Sequence, residues 1–185
     1  MRMAQLFPED ELQIFMGIRN PATLLPVLYD VSADKSPPQF WGDKDPLDVR
    51  WSDTLALLRD SAPEIPVTVW CNEDAPLIWG QIMREMAGLP TMAPLDGEFD
   101  LLETIMRPEG MKRFKSYLAS HPEMTTAEHP RVIAAFLDKY VIDDALEEEL
   151  DMPSWTEELV EEMTEVYDED VARIQEIPGV RVILP

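Results

Sequence analysis

Leu12-Gln13-Ile14-Phe15-Met16-Gly17-Ile18, followed at once by Arg19-Asn20-Pro21, is the stretch that decides the fold. A short, nearly continuous apolar run with β-branched and aromatic residues reads as a strand buried on both faces. Asn20 is a good N-cap. Pro21 suits the first helical position, where a missing amide costs nothing, so a helix is expected through about Tyr29. Pro26 weakens it, since proline inside a helix removes a backbone bond.

The same strand-to-helix grammar returns at Val67-Thr68-Val69-Trp70-Cys71, followed by Asn72-Glu73-Asp74-Ala75-Pro76. Here Asp74 can cap, and Ile78, Ile82, Met83 and Met86 form an apolar face that Gly88 closes. Between the two strands, Ser32 to Pro46 is an irregular crossing anchored by Phe40 and Trp41. A helix capped by Ser52 then carries Leu55, Leu57 and Leu58 to Ser61. A helical crossover of this length implies parallel strands with a right-handed connection.

The rest reads as helices over Glu98 to Met106, Pro108 to Leu118 and Arg131 to about Leu150. Ser154 and Glu157 have capping-box spacing and open a last helix with a buried stripe of Leu159, Met163, Val166, Tyr167, Val171 and Ile174. Pro178-Gly179 ends it, and Val180 to Leu184 can add a closing strand. The expected fold is one α/β domain over 1–185: a small, mostly parallel sheet covered by helices in about 1–90, and a mainly helical part in 91–185.

Composition narrows the function. The chain has 185 residues, 45% of them hydrophobic, and a formal net charge of -22. That is globular composition, and a field of this sign repels phosphate backbones and anionic lipid headgroups, so no nucleic acid and no membrane partner is expected. Cys71 is the only cysteine and His121 and His129 the only histidines, which excludes an internal disulfide and a Cys/His zinc site and suits the cytosol. The amino-terminal residues leave no room for an apolar signal segment before Pro8-Glu9-Asp10-Glu11. After Val141 fifteen carboxylates face only Arg173 and Arg181; falling opposite the apolar stripe, those of the last helix read as a solvated face rather than a metal centre.

Candidate site residues are few. Arg19 and Asn20 stand at the carboxyl end of a strand and the start of a helix, where amides, helix dipole and guanidinium together favour an anion. An ion pair with one of the many carboxylates is the alternative for Arg19. Glu73 and Asp74 read as cap and dipole partners. His121 and His129 lie in a Pro-rich loop between helices, and the five tryptophans pack as core or line an acceptor pocket. Cys71, near two acids, is a poor nucleophile.

The strand, Arg19-Asn20-Pro21 and helix resemble the segment with which PAPS-dependent sulfotransferases of bacterial type hold the 3'-phosphate of their nucleotide. Val67 to Asp74 is similar to that family's strand ending in an aromatic and acidic step before a helix. Tyr167-Asp168-Glu169-Asp170 is similar to the tail of many members. The resemblance implies a P-loop-like sulfotransferase fold and transfer of a sulfuryl group from PAPS to a hydroxyl or amine of a small-molecule acceptor. Arg19 and Asn20 would be cofactor-binding and no metal would be needed. Where the family carries a serine eight residues after the arginine this chain has Val27, and it contains no Gly-rich loop for the 5'-phosphosulfate, so a chain inactive alone is implied. The alternative is a non-catalytic acidic module that binds a protein partner on the same scaffold.

Overall fold

A computed structural model of the chain describes residues 11–32, 44–142, 145, 152 and 155–185. Among them it is an α/β protein with a three-stranded parallel sheet and seven α-helices. Phe40, Trp41, Glu147 to Glu149 and Ser154 lie outside the described residues.

The first strand, β1, runs Ile14–Ile18 and pairs in parallel with β2, Val67–Cys71, in the register Ile14 to Val67 through Ile18 to Cys71. Gly17 faces Trp70 in that register, and a Cβ on Gly17 would come within 3.2 Å of the indole, so the bare backbone makes room for a ring. Between the strands stand α1 (Pro21–Val31), a 3-10 turn at Pro46–Asp48, and α2 (Trp51–Ser61). Helix α1 runs through Pro26 and ends two residues beyond the expected Tyr29. The last strand, β3, is Val180–Ile183, and β2 is central in the order β1-β2-β3.

After β2 come a 3-10 turn at Asn72–Asp74, α3 (Ala75–Met86), α4 (Asp100–Ile105), α5 (Pro108–Ser120), a 3-10 turn at Thr126–Glu128, α6 (His129–Tyr140) and α7 (Glu157–Ile174). Gly88 does close α3, with φ of 64° and the Leu89 amide returning to Arg84 O at 2.8 Å. Helix α6 starts two residues before Arg131, because Pro130 suits its first turn, and stops at Tyr140 rather than near Leu150. The reason is local: Val141 is extended and bridges Met106 antiparallel, while Arg107 N donates to Tyr140 O. The side chain that caps α7 is Thr156, which accepts from Leu159 N; the expected cap, Ser154, lies outside the described residues.

The chain divides into two compact units, 1–71 with 150–182 and 72–149 with 183–185. In the first, Ile18, Leu55, Val67, Val69, Tyr167 and Ile174 form one core cluster, and Ala22, Leu25 and Met163 a second. Helix α7 thus belongs to the unit that holds β1 and β2, and its Met163, Tyr167 and Ile174 are buried while Glu157, Glu158, Glu161, Glu162 and Glu165 are exposed. The hydrophobic effect therefore fixes that helix by one face and leaves its carboxylates in water.

In the second unit, Leu102, Ile105, Met106, Met111, Phe114 and Ile133 are the core, with Phe114 edge-on to Phe99 and Phe136. Gly110 lets α5 approach α6, since a Cβ there would overlap the Cβ of Tyr140. Gly110→Ala should therefore lower the stability of this unit by about 1–3 kcal/mol, the usual cost of overpacking. Chemical denaturation followed on the aromatic signals of α5 and α6 reads it, and an unchanged midpoint contradicts the close approach.

Candidate functional site

The carboxyl end of β1 is built by residues from four elements of the first unit. Asn20 caps α1: its Oδ1 accepts from Ala22 N at 2.9 Å, and its Nδ2 donates to Thr164 Oγ1 on α7 at 3.0 Å. The amides of Thr23 and Leu24 both turn back to Asn20 O. Pro21 has none, so the first turn of α1 spends its donors on the fold. An anion reaching this helix end meets the dipole rather than free amides, and Asn20 works here as a cap.

Arg19 is partly buried, and its Nε donates to Thr23 Oγ1 at 2.9 Å, one helical turn further on. Its carbonyl accepts from Trp51 Nε1 at 2.8 Å. Arg19 is further tied to its surroundings beyond these two bonds. Backbone and side chain are thus both anchored at the rim of the sheet, where open α/β folds place their ligands. Val27, eight residues after Arg19, is 46% exposed and offers no hydrogen bond.

Trp51 is placed by an acid that the sequence hides among its neighbours. Asp170, 2% exposed on α7, accepts from Trp51 N at 2.7 Å and Ser52 N at 3.1 Å through Oδ2, and from Ser52 Oγ through Oδ1. It is the side-chain cap of α2, whose own preceding residue, Arg50, supplies none. Ser52, expected as the cap, is instead a buried donor to it.

At the second junction, Cys71 is buried. Burial, and then the charge of Glu73, push the Asp74 carboxyl above its ordinary range. Asp74 precedes α3 without a side-chain cap bond. His121 stacks on Tyr117 with ring centroids 4.1 Å apart and points Nδ1 at the Tyr117 carbonyl, 2.8 Å away, which finishes α5.

His129 is different. It lies in the second unit beside Glu98, Nδ1 to Oε1 3.6 Å, and Glu98 is gripped on both oxygens by Arg84 at 2.9 Å. Arg84 is 4% exposed and its Nε donates to Ala93 O. Burial alone would raise the pKa of Glu98; the imidazole and the two-pronged guanidinium outweigh it and hold the carboxyl at about 2. At 3.6 Å the imidazole lies beyond hydrogen-bond length of the carboxylate, so the weight falls on Arg84. Trp79, Phe99, Arg84, Glu98 and His129 line a cavity of about 190 Å³. His129, expected in a surface loop, thus opens α6 and is part of a wall.

No described helix is long and apolar enough to cross a membrane. Comparison with models of known protein families, with curated proteins and with solved structures gives no match.

Proposed function

We propose that this chain is a sulfotransferase-like protein, related to enzymes that transfer a sulfuryl group from PAPS to a hydroxyl or amine, and that Arg19 meets the 3'-phosphate of the nucleotide. One observation carries the reading: Arg19 sits directly after β1, held by Thr23 and Trp51 at the rim of a parallel sheet. The resemblance of Ile14 to Pro21 to the family's 3'-phosphate segment supplies the ligand.

The residues fit one end of that nucleotide. A guanidinium matches a phosphate by charge and by its paired donors, and the phosphate joins or displaces the partners Arg19 already has. Asn20 and the first amides of α1 are committed to the cap, which narrows the contact to Arg19. PAPS supplies the sulfuryl group when bound; Arg19 positions the nucleotide and exchanges no proton. No Gly-rich loop for the phosphosulfate occurs in these 185 residues, so the proposal for the chain by itself is nucleotide binding rather than turnover. A single, buried cysteine suits the reducing cytosol.

The test is a calorimetric titration with adenosine 3',5'-bisphosphate. Wild type should bind it saturably, and Arg19→Ala should weaken binding by about 1.5–3 kcal/mol, the worth of a charge-assisted hydrogen bond. Absence of heat with wild type, or equal affinity in both, removes the reading. The acidic-module alternative draws on the exposed carboxylate face of α7, whose other face is committed to the core.

A further inference from the structure

The cavity lies wholly within the second unit and owes nothing to the Arg19 reading. Ile78 and Ile133, both buried, and the rings of Trp79 and Phe99 line it, and exposed Thr91 and Ala127 stand where it meets water. An apolar and aromatic wall opening past a polar edge has the make-up of a small-molecule site. Its volume of about 190 Å³ exceeds the roughly 150 Å³ that accepts a single benzene ring, so one ring with a short substituent fits.

The charged residues of the lining are already engaged with one another or with the fold. Both terminal nitrogens of Arg84 are on Glu98, and its Nε is on Ala93 O. Gly80 keeps that pair pressed on the backbone of α3, since a Cβ at Gly80 would lie 2.7 Å from Glu98 Cγ and 2.9 Å from Arg84 Nη1. Glu85 accepts from Gln81 Nε2 at 2.9 Å and is tied further to its surroundings. His129 has the Glu98 carboxylate 3.6 Å away, whichever form the imidazole takes. A charge carried into the cavity would give up its water without gaining a counter-ion of its own.

We propose that this cavity binds a small uncharged aromatic molecule of one substituted ring. The ring leaves water for the apolar wall and packs edge-on or offset against Trp79 and Phe99, as Phe99 already packs edge-on to Phe114 at 5.0 Å. A polar substituent of the ligand stays hydrated at the opening. The protein's net charge of -22 draws cations toward the surface, so a preference for the neutral ring can only come from the lining.

Toluene and N-methylpyridinium share one shape and differ by a charge in the ring, and titrating each into the full chain, followed by amide chemical shifts, tests this. Salt of about 0.15 M screens surface carboxylates beyond roughly 8 Å. Saturable toluene binding with shifts confined to α3, α4, α6 and the Thr126–Glu128 turn is expected, with the cation at least about tenfold weaker. Benzyl alcohol should bind more tightly than cyclohexylmethanol, its saturated counterpart. Ala127, exposed on that turn, lines the cavity, so Ala127→Trp should fill it and abolish toluene binding. Thr91→Trp, at another exposed lining position, serves if the first variant fails to fold. No saturable shifts with toluene, or binding that survives the filling substitution, overturns the site. N-methylpyridinium binding as tightly as toluene overturns the preference for an uncharged ligand, and cyclohexylmethanol matching benzyl alcohol overturns the preference for an aromatic one.

Discussion

Glu98→Ala is expected to lower the stability of the 72–149 unit by about 3–5 kcal/mol, because it leaves a buried guanidinium without its carboxylate partner. Arg84 is 4% exposed and carries both Glu98 oxygens on its terminal nitrogens. Replacing both partners with apolar residues, Arg84→Met with Glu98→Leu, should recover most of that loss, since no charge remains to be desolvated. Chemical denaturation with hydrogen exchange read on α3 and α6 measures it; a loss below about 1 kcal/mol means the pair is solvated in solution. The acid limb of stability follows the same group. Its folded pKa of about 2 lies below the unfolded 4.5, so the stabilisation is complete above 4.5 and is lost as pH falls toward 2. Glu98→Gln should flatten the pH dependence in that window, and an unchanged slope there contradicts the assignment.

Asp170→Ala is the second large effect, in the other unit. The substitution orphans the amides of Trp51 and Ser52 and a hydroxyl on a residue that is 3% exposed, so a loss of about 2–4 kcal/mol is expected. Asp170→Asn keeps an acceptor oxygen and should cost less. Adding Ser52→Ala to Asp170→Ala should cost less than the sum of the singles, because the two groups share one network. Strict additivity in that cycle contradicts the bond between them. Trp51 reaches the Arg19 carbonyl, so Asp170→Ala should also disturb the amide signals of residues 18–20.

Local order was the legible part of the sequence. Both parallel strands and the helix after each follow from short apolar runs met by Asn20-Pro21 and Ala75-Pro76, signals that act within a few residues, although Asp74 makes no side-chain cap bond. The exposed glutamates of α7 follow from its 3.6-residue stripe. What escaped is long-range. Asp170 reaches Ser52 across 118 positions, and in an acid-rich tail nothing local distinguishes it from Asp168 or Glu169. The Arg84–Glu98–His129 cluster joins three helices' worth of sequence, and Gly80, the residue that admits it, resembles any mid-helix glycine. One further signal is local: Thr125 and Glu128 have capping-box spacing and form that box, its bonds from Thr125 holding the Glu128 carboxyl below its ordinary range.

The claim that Arg19 answers the 3'-phosphate is tested most directly by comparing two nucleotides on two proteins. Adenosine 3',5'-bisphosphate and adenosine 5'-monophosphate differ only in that phosphate, so wild type should prefer the first by roughly tenfold or more, and Arg19→Ala should show no preference. A preference that persists undiminished without the arginine, or none in wild type, contradicts the account.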